Sequence, residues 1–130
     1  MTVIDTSVMI PFLNGSPEAV NKVSQASKMN GQIVITIITA YEMLKGASLS
    51  SKPEQNLKKV KDVLSSVQVL DLTPAACEEA SQIFCDLKKA GTLIGEFDIL
   101  IAAIAKINGE ALLTQDKHFK FISGLKLIER

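Results

Sequence analysis

The chain is short of cysteine, has one histidine, carries no excess of charge and lacks any long apolar run. Each absence excludes something. Cys77 and Cys85 lie eight positions apart within one predicted helix, which at ~1.5 Å per residue separates them by about 12 Å. A disulfide needs Cα atoms within ~7 Å, so the two cannot pair with each other. They read as small buried core residues of a protein in a reducing cytosol. Lysine plus arginine and aspartate plus glutamate both number 14, so the formal net charge is zero. The molecule as a whole therefore offers no electrostatic footprint for nucleic acid, and an anionic partner needs a local basic patch or a bound metal. The longest apolar run, Ile99 to Ala105, is far below the ~20 residues of a membrane span. No basic segment precedes the first strand-like residues, so no signal peptide is expected and a cytoplasmic location is. There is no internal repeat and no low-complexity tract.

What is present is enough for one packed domain. The 130 residues, 47% of them hydrophobic, predict a single domain over 1–130 without a linker. Val3-Ile4 is a short, continuously apolar strand of the kind buried on both faces. Val8 to Leu13 predicts a short helix ending at Asn14-Gly15. Ser16-Pro17 is an N-cap followed by proline at the first helical position, and that helix runs to Asn30-Gly31. Ile33 to Ile37 is a second β-branched strand. Thr39-Ala40-Tyr41-Glu42 has the spacing of a capping box, opening a helix whose apolar face is Ala40, Met43, Leu44 and Ala47. After a polar turn at Ser48 to Pro53, Leu57, Val60, Val63, Leu64 and Val67 stripe another helix. Val67 to Leu70 is a third strand.

Thr73-Pro74 repeats the cap-plus-proline signature, and its helix is expected to bury Ala76, Ala80, Ile83, Phe84 and Leu87 before stopping at Gly91. Gly95 precedes a helix from Glu96 to about Asn108 that is apolar all round in its middle, which predicts burial on most sides. Ala111 to Thr114 is a fourth strand, and Leu125 to Ile128 a fifth at an edge. Strands alternating with helices predict an α/β fold, a three-layer α/β/α sandwich with a central parallel sheet of four to five strands. Two helices fall between the third and fourth strands. Both cannot simply return along the sheet, so one must lie obliquely.

Four acids occupy matching places in this scheme. Asp5 ends the first strand, Glu42 and Asp98 stand in the first turns of their helices, and Asp116 follows the fourth strand. In a parallel sheet these places share the carboxyl rim, where such folds bind ligands. Each acid also has a structural role open to it. Asp5 and Asp116 suit turns, Glu42 suits the reciprocal partner of Thr39, and Asp98 complements a helix dipole. Taken together, four carboxylates on one rim repel unless a cation sits among them. Hard oxygen ligands suit Mg²⁺ or Mn²⁺. Zinc is disfavoured, because His118 is the only histidine and neither cysteine is placed to reach the rim.

Glu96 precedes Asp98 by two residues and faces about 200° away on a helix, which makes it a rim or supporting group. Ser7 and Thr114 are expected to orient ligands. Strand alternation points Thr6 elsewhere. His118 reads as a surface loop residue. Lys45, Lys117 and Lys120 are the lysines nearest these acids in the chain and the candidates for a local basic patch.

The stretches Val3-Ile4-Asp5-Thr6-Ser7, the Glu42 helix, Gly95-Glu96-Phe97-Asp98-Ile99-Leu100-Ile101-Ala102-Ala103 and Leu113-Thr114-Gln115-Asp116 together resemble PIN domains, in particular the small VapC-type toxins. The resemblance covers nearly the whole chain in order. It implies a site of Asp5, Glu42, Asp98 and Asp116 holding one or two Mg²⁺ or Mn²⁺ ions, with endoribonuclease activity by metal-assisted in-line hydrolysis of RNA. It also implies a homodimer and a small cognate VapB-like antitoxin. Two alternatives stand beside it. A receiver-like phosphoacceptor domain shares the sandwich and the acidic pocket but calls for an acidic pair where Thr6 and Ser7 follow Asp5. A PIN-like module that binds RNA or protein without cutting is the other.

Overall fold

The structure, a computed structural model, describes residues 1–128; Glu129 and Arg130, the end of the expected 1–130 domain, lie outside the described residues. Five short strands, β1 (Thr2–Ile4), β2 (Val34–Thr36), β3 (Gln68–Leu70), β4 (Ala111–Leu113) and β5 (Leu127–Ile128), form one sheet in the order β3-β2-β1-β4-β5. Every neighbouring pair is parallel. Among the described residues six α-helices surround it: α1 (Thr6–Leu13), α2 (Pro17–Asn30), α3 (Ile37–Ser48), α4 (Pro53–Leu64), α5 (Pro74–Ala90) and α6 (Glu96–Ile107).

Side chains alternate across each strand and so divide the core in two. Val3, Val34 and Leu112 face a cluster built with Ile83 and Leu87 of α5 and Ile99 and Ala103 of α6. Their neighbours Ile4, Ile35 and Leu113 face a second cluster with Val8, Val23, Met43 and Val60 of α1 to α4. The expected three-layer sandwich is therefore present. Helix α5 packs chiefly on α6, while α6 also contacts β2, β4 and α3. No helix among the described residues is long and apolar enough to cross a membrane.

The helix starts follow local chemistry. The hydroxyls of Ser16 and Thr73 accept from the Ala19 and Ala76 amides, and proline takes the first helical position in α2, α4 and α5. Gly31 and Gly91 end their helices at φ of 78° and 73°, a conformation that side chains resist.

Two readings of the sequence need correction. Helix α3 begins at Ile37, not at Thr39, and its cap is Thr36, whose hydroxyl accepts from the Thr39 amide at 3.2 Å. Thr36 is as good a cap as Thr39, and the β-branched run hid the strand end. Glu42 consequently lies in the second turn, free of any capping role. Cys77 and Cys85 are both free and exposed. The buried stripe of α5 is Ala76, Ala80, Ile83 and Leu87, and both cysteines lie off it.

The sheet order places β1 at the centre. The chain moves outward to β2 and β3, then crosses to β4 on the other side of β1. The switch point thus lies between β1 and β4, where a crevice opens at the carboxyl ends. This order also sets the chain apart from the receiver-like alternative, whose sheet runs 2-1-3-4-5.

Candidate active site

Asp5 passes directly from β1 into α1. Its amide donates to the Leu113 carbonyl at 3.1 Å, and its carbonyl accepts from Val8 and Met9. The side chain does not cap α1 and is only 2% exposed. Ser7 Oγ donates to Oδ1 at 2.7 Å and Thr114 Oγ1 donates to Oδ2 at 2.6 Å. Those two hydroxyls in turn accept from the amides of Gln115 and Asp116, each at 2.9 Å. An amide can only donate, so the single proton of each hydroxyl is directed to Asp5. Burial nevertheless raises the Asp5 carboxyl above the usual range, with the hydroxyl bonds acting the other way.

Glu42 is half-buried and Oε1 accepts from Thr6 Oγ1 at 2.7 Å. Thr6 lies 3.0 Å from Thr39 Oγ1, which lies 3.5 Å from Thr36 Oγ1. Because the Thr6 proton goes to Glu42, Thr39 donates to Thr6, and three hydroxyls form a chain ending on the carboxylate. Strand alternation assigned Thr6 elsewhere; in the structure Thr6 is already the first residue of α1, so that rule no longer applies.

Asp98 stands in the first turn of α6, and burial pushes its carboxyl up to about 6, reinforced by the charges of Asp116, Glu42 and Asp5 in that order. Asp116 caps the 3₁₀ turn Lys117–Phe121, its Oδ1 accepting from the His118 amide at 2.9 Å and lying 2.8 Å from His118 Nδ1. The turn is pinned by Phe119, which is wholly buried. Burying such a side chain contributes about 1.5–3 kcal/mol.

An open depression of about 300 Å³ is lined by Glu42, Gly95, Glu96, Phe97 and Asp98. Glu96 is exposed at its edge. Lys117, His118 and Lys120 are exposed beyond Asp116. Lys45 stands over the rings of Tyr41 and Phe97, two residues the sequence did not single out.

Asp98 thus feels the charges of the other three acids, and Asp5, Glu42 and Asp116 are each held by a hydrogen-bond partner. Among the described residues no three acidic, histidine or cysteine side chains stand at metal-ligand spacing. The donor chemistry nonetheless fits a hard divalent ion. It is all oxygen, each carboxylate keeps lone pairs beyond its hydrogen bonds, and the repulsion around Asp98 is what a cation relieves.

The model of the PIN domain matches residues 2–125. The chain belongs to the PIN-domain family. It is 30% identical over 124 residues to the tRNA(fMet)-specific endonuclease VapC of Shigella flexneri, covering 95% of this chain and 92% of that protein. It is 32% identical to the ribonuclease VapC2 of Haemophilus influenzae, with the same shares covered. In three dimensions this PIN domain matches a chain of VapBC2 from Rickettsia felis bound to a DNA fragment from the promoter, with TM-score 0.89 and 28% identity, over 99% of this chain and 98% of that one. DNA-bound VapBC from Salmonella typhimurium gives TM-score 0.89 at 29% identity, over 98% and 96%.

Proposed function

We propose that this PIN domain is a Mg²⁺- or Mn²⁺-dependent endoribonuclease, the toxin of a VapBC-type toxin–antitoxin pair. The observation that carries the reading is the state of Asp98. Three acids from three other elements add their charges to its burial and hold it at about 6. Such repulsion costs the fold stability, and a divalent cation converts it into binding.

Asp5, Asp98 and Asp116 would hold the ion, with Glu42 beside them. When bound, the metal supplies Lewis-acid polarisation of the phosphodiester and lowers the pKa of water at the site. The protein's own groups do the positioning. Ser7 and Thr114 fix both oxygens of Asp5, and Thr6 fixes Glu42. Glu42 would hold a water at the site or accept its proton. Lys117 and Lys120, exposed on the turn after Asp116, meet the phosphate backbone.

The names of the relatives support RNA as substrate, and the VapBC assemblies support a VapB-like antitoxin as partner. A homodimer in the cytoplasm completes the reading. Expression in a bacterial host tests it. The wild-type chain alone should arrest growth, the neighbouring antitoxin frame should restore it, and Asp5→Asn should not arrest growth at all. Equal arrest by Asp5→Asn overturns the site, and a wild-type chain that binds RNA without arresting growth would favour a non-cleaving module.

A further inference from the structure

The rim of the acidic depression carries a group that hydrolysis does not use. Tyr41 and Lys45 are four residues apart on α3 and therefore share a helical face. Phe97 reaches the same place from the first turn of α6. The two rings meet edge to face, their centroids 5.7 Å apart and their planes at 86°. Lys45 Nζ stands 5.4 Å from the centre of the Tyr41 ring and 5.3 Å from that of Phe97, so one ammonium sits in the corner between them. Lys45 forms no ion pair among the described residues, although Glu42 is three positions away on its own helix. Both rings remain open to solvent, at 51% and 38% exposure.

We propose that Tyr41, Phe97 and Lys45 form a subsite for one unpaired nucleotide of the RNA, the rings stacking its base and Lys45 binding its phosphate. The proposal rests on the ribonuclease reading above and adds the substrate class. Aromatic faces and a nearby cation are the two elements that single-strand sites combine. Phe97, Glu42 and Asp98 line one depression, so a nucleotide held here borders the acids. The chain has no net positive charge, so a local free cation is needed to bring a polyanion to an acidic site. Exposed cation–π contacts are weak, and a phosphate draws the ammonium out of the corner and opens the ring faces to a base. Stacking requires a base splayed out of any helix, so the substrate is a single strand or a loop.

Tyr41 is the only tyrosine and the chain has no tryptophan, so its emission reports this subsite alone. The experiment titrates the Mg²⁺-loaded protein with a single-stranded oligoribonucleotide, the same sequence as a duplex, and inorganic phosphate. In parallel, kcat and KM are measured on the single strand. Saturable quenching by the single strand only is expected. Y41L and F97L should each raise KM about tenfold with kcat little changed, and Y41F should restore most of what Y41L loses. K45Q should flatten the dependence of log affinity on log salt by about 0.7. Cleavage with silent Tyr41 emission and an unchanged KM in F97L overturns the subsite and leaves the ribonuclease reading standing. Emission that follows protein concentration but not RNA puts a second copy on the rings and overturns it as well. Quenching without cleavage supports the subsite and overturns the ribonuclease. Neither quenching nor cleavage overturns both.

Discussion

Thr114 Oγ1 donates to Asp5 Oδ2 at 2.6 Å, just past the ends of β1 and β4, the two strands between which the strand order reverses. Thr114 itself accepts from the Asp116 amide, so one hydroxyl links two of the four acids. Thr114→Val keeps the shape and removes both bonds. A buried carboxylate oxygen and an amide are then left without this partner, which costs about 1–3 kcal/mol. Denaturant unfolding should show that loss, and Thr114→Ser should recover most of it.

Thr6 makes the corresponding link to Glu42. Thr6→Val leaves Glu42 without its hydroxyl donor and ends the threonine chain. Thr6 is half-buried at the start of α1, so the fold should survive. The expected result is a fall in kcat with KM little changed, measured on a single-stranded RNA. An unchanged kcat would separate Glu42's orientation from catalysis.

Asp98 gives the protein a pH dependence of defined sign. Its folded pKa of about 6 lies above the ordinary value of 3.8. Between these values the folded state holds more protons than the unfolded state, so stability falls as pH rises. The stability is fully present below the unfolded value and lost as pH passes through about 6. Thermal melts in EDTA should therefore show wild type losing ground to Asp98→Asn between about pH 4 and 7, and Mg²⁺ should restore wild type alone.

The exposed thiols offer a simpler check. Cys77 and Cys85 lie off the buried stripe of α5. Both should react with a small thiol reagent in the native protein, without denaturant. Thiols that react only after unfolding would contradict this placement.

Much of this was legible in the sequence because strong local signals coincided. Proline after Ser16 and Thr73 marked two helix starts, and the apolar run of α6 marked a buried helix. Asp5, Glu42, Asp98 and Asp116 fell on one rim once the strands were taken as parallel. The cap of α3 was not legible, because Thr36 and Thr39 have the same capping chemistry and only the strand's pairing decides between them. Thr6 was lost because alternation was carried two residues past the end of β1. Tyr41 and Phe97 meet only through tertiary packing, and no spacing in the chain announces them. The cysteines were misplaced because burial was inferred from residue type rather than from the stripe of α5.

The central claim is that four carboxylates are held together at a cost in stability because a metal uses them. Asp98→Asn tests it most directly, since it removes one charge from the cluster without changing its shape. RNA cleavage by wild type and Asp98→Asn should be measured with Mg²⁺ and with EDTA, alongside melting of both. Wild type should cleave only with the metal, while Asp98→Asn should melt higher than wild type in EDTA and fail to cleave. Cleavage by Asp98→Asn at the wild-type rate, or by wild type in EDTA, would contradict the account.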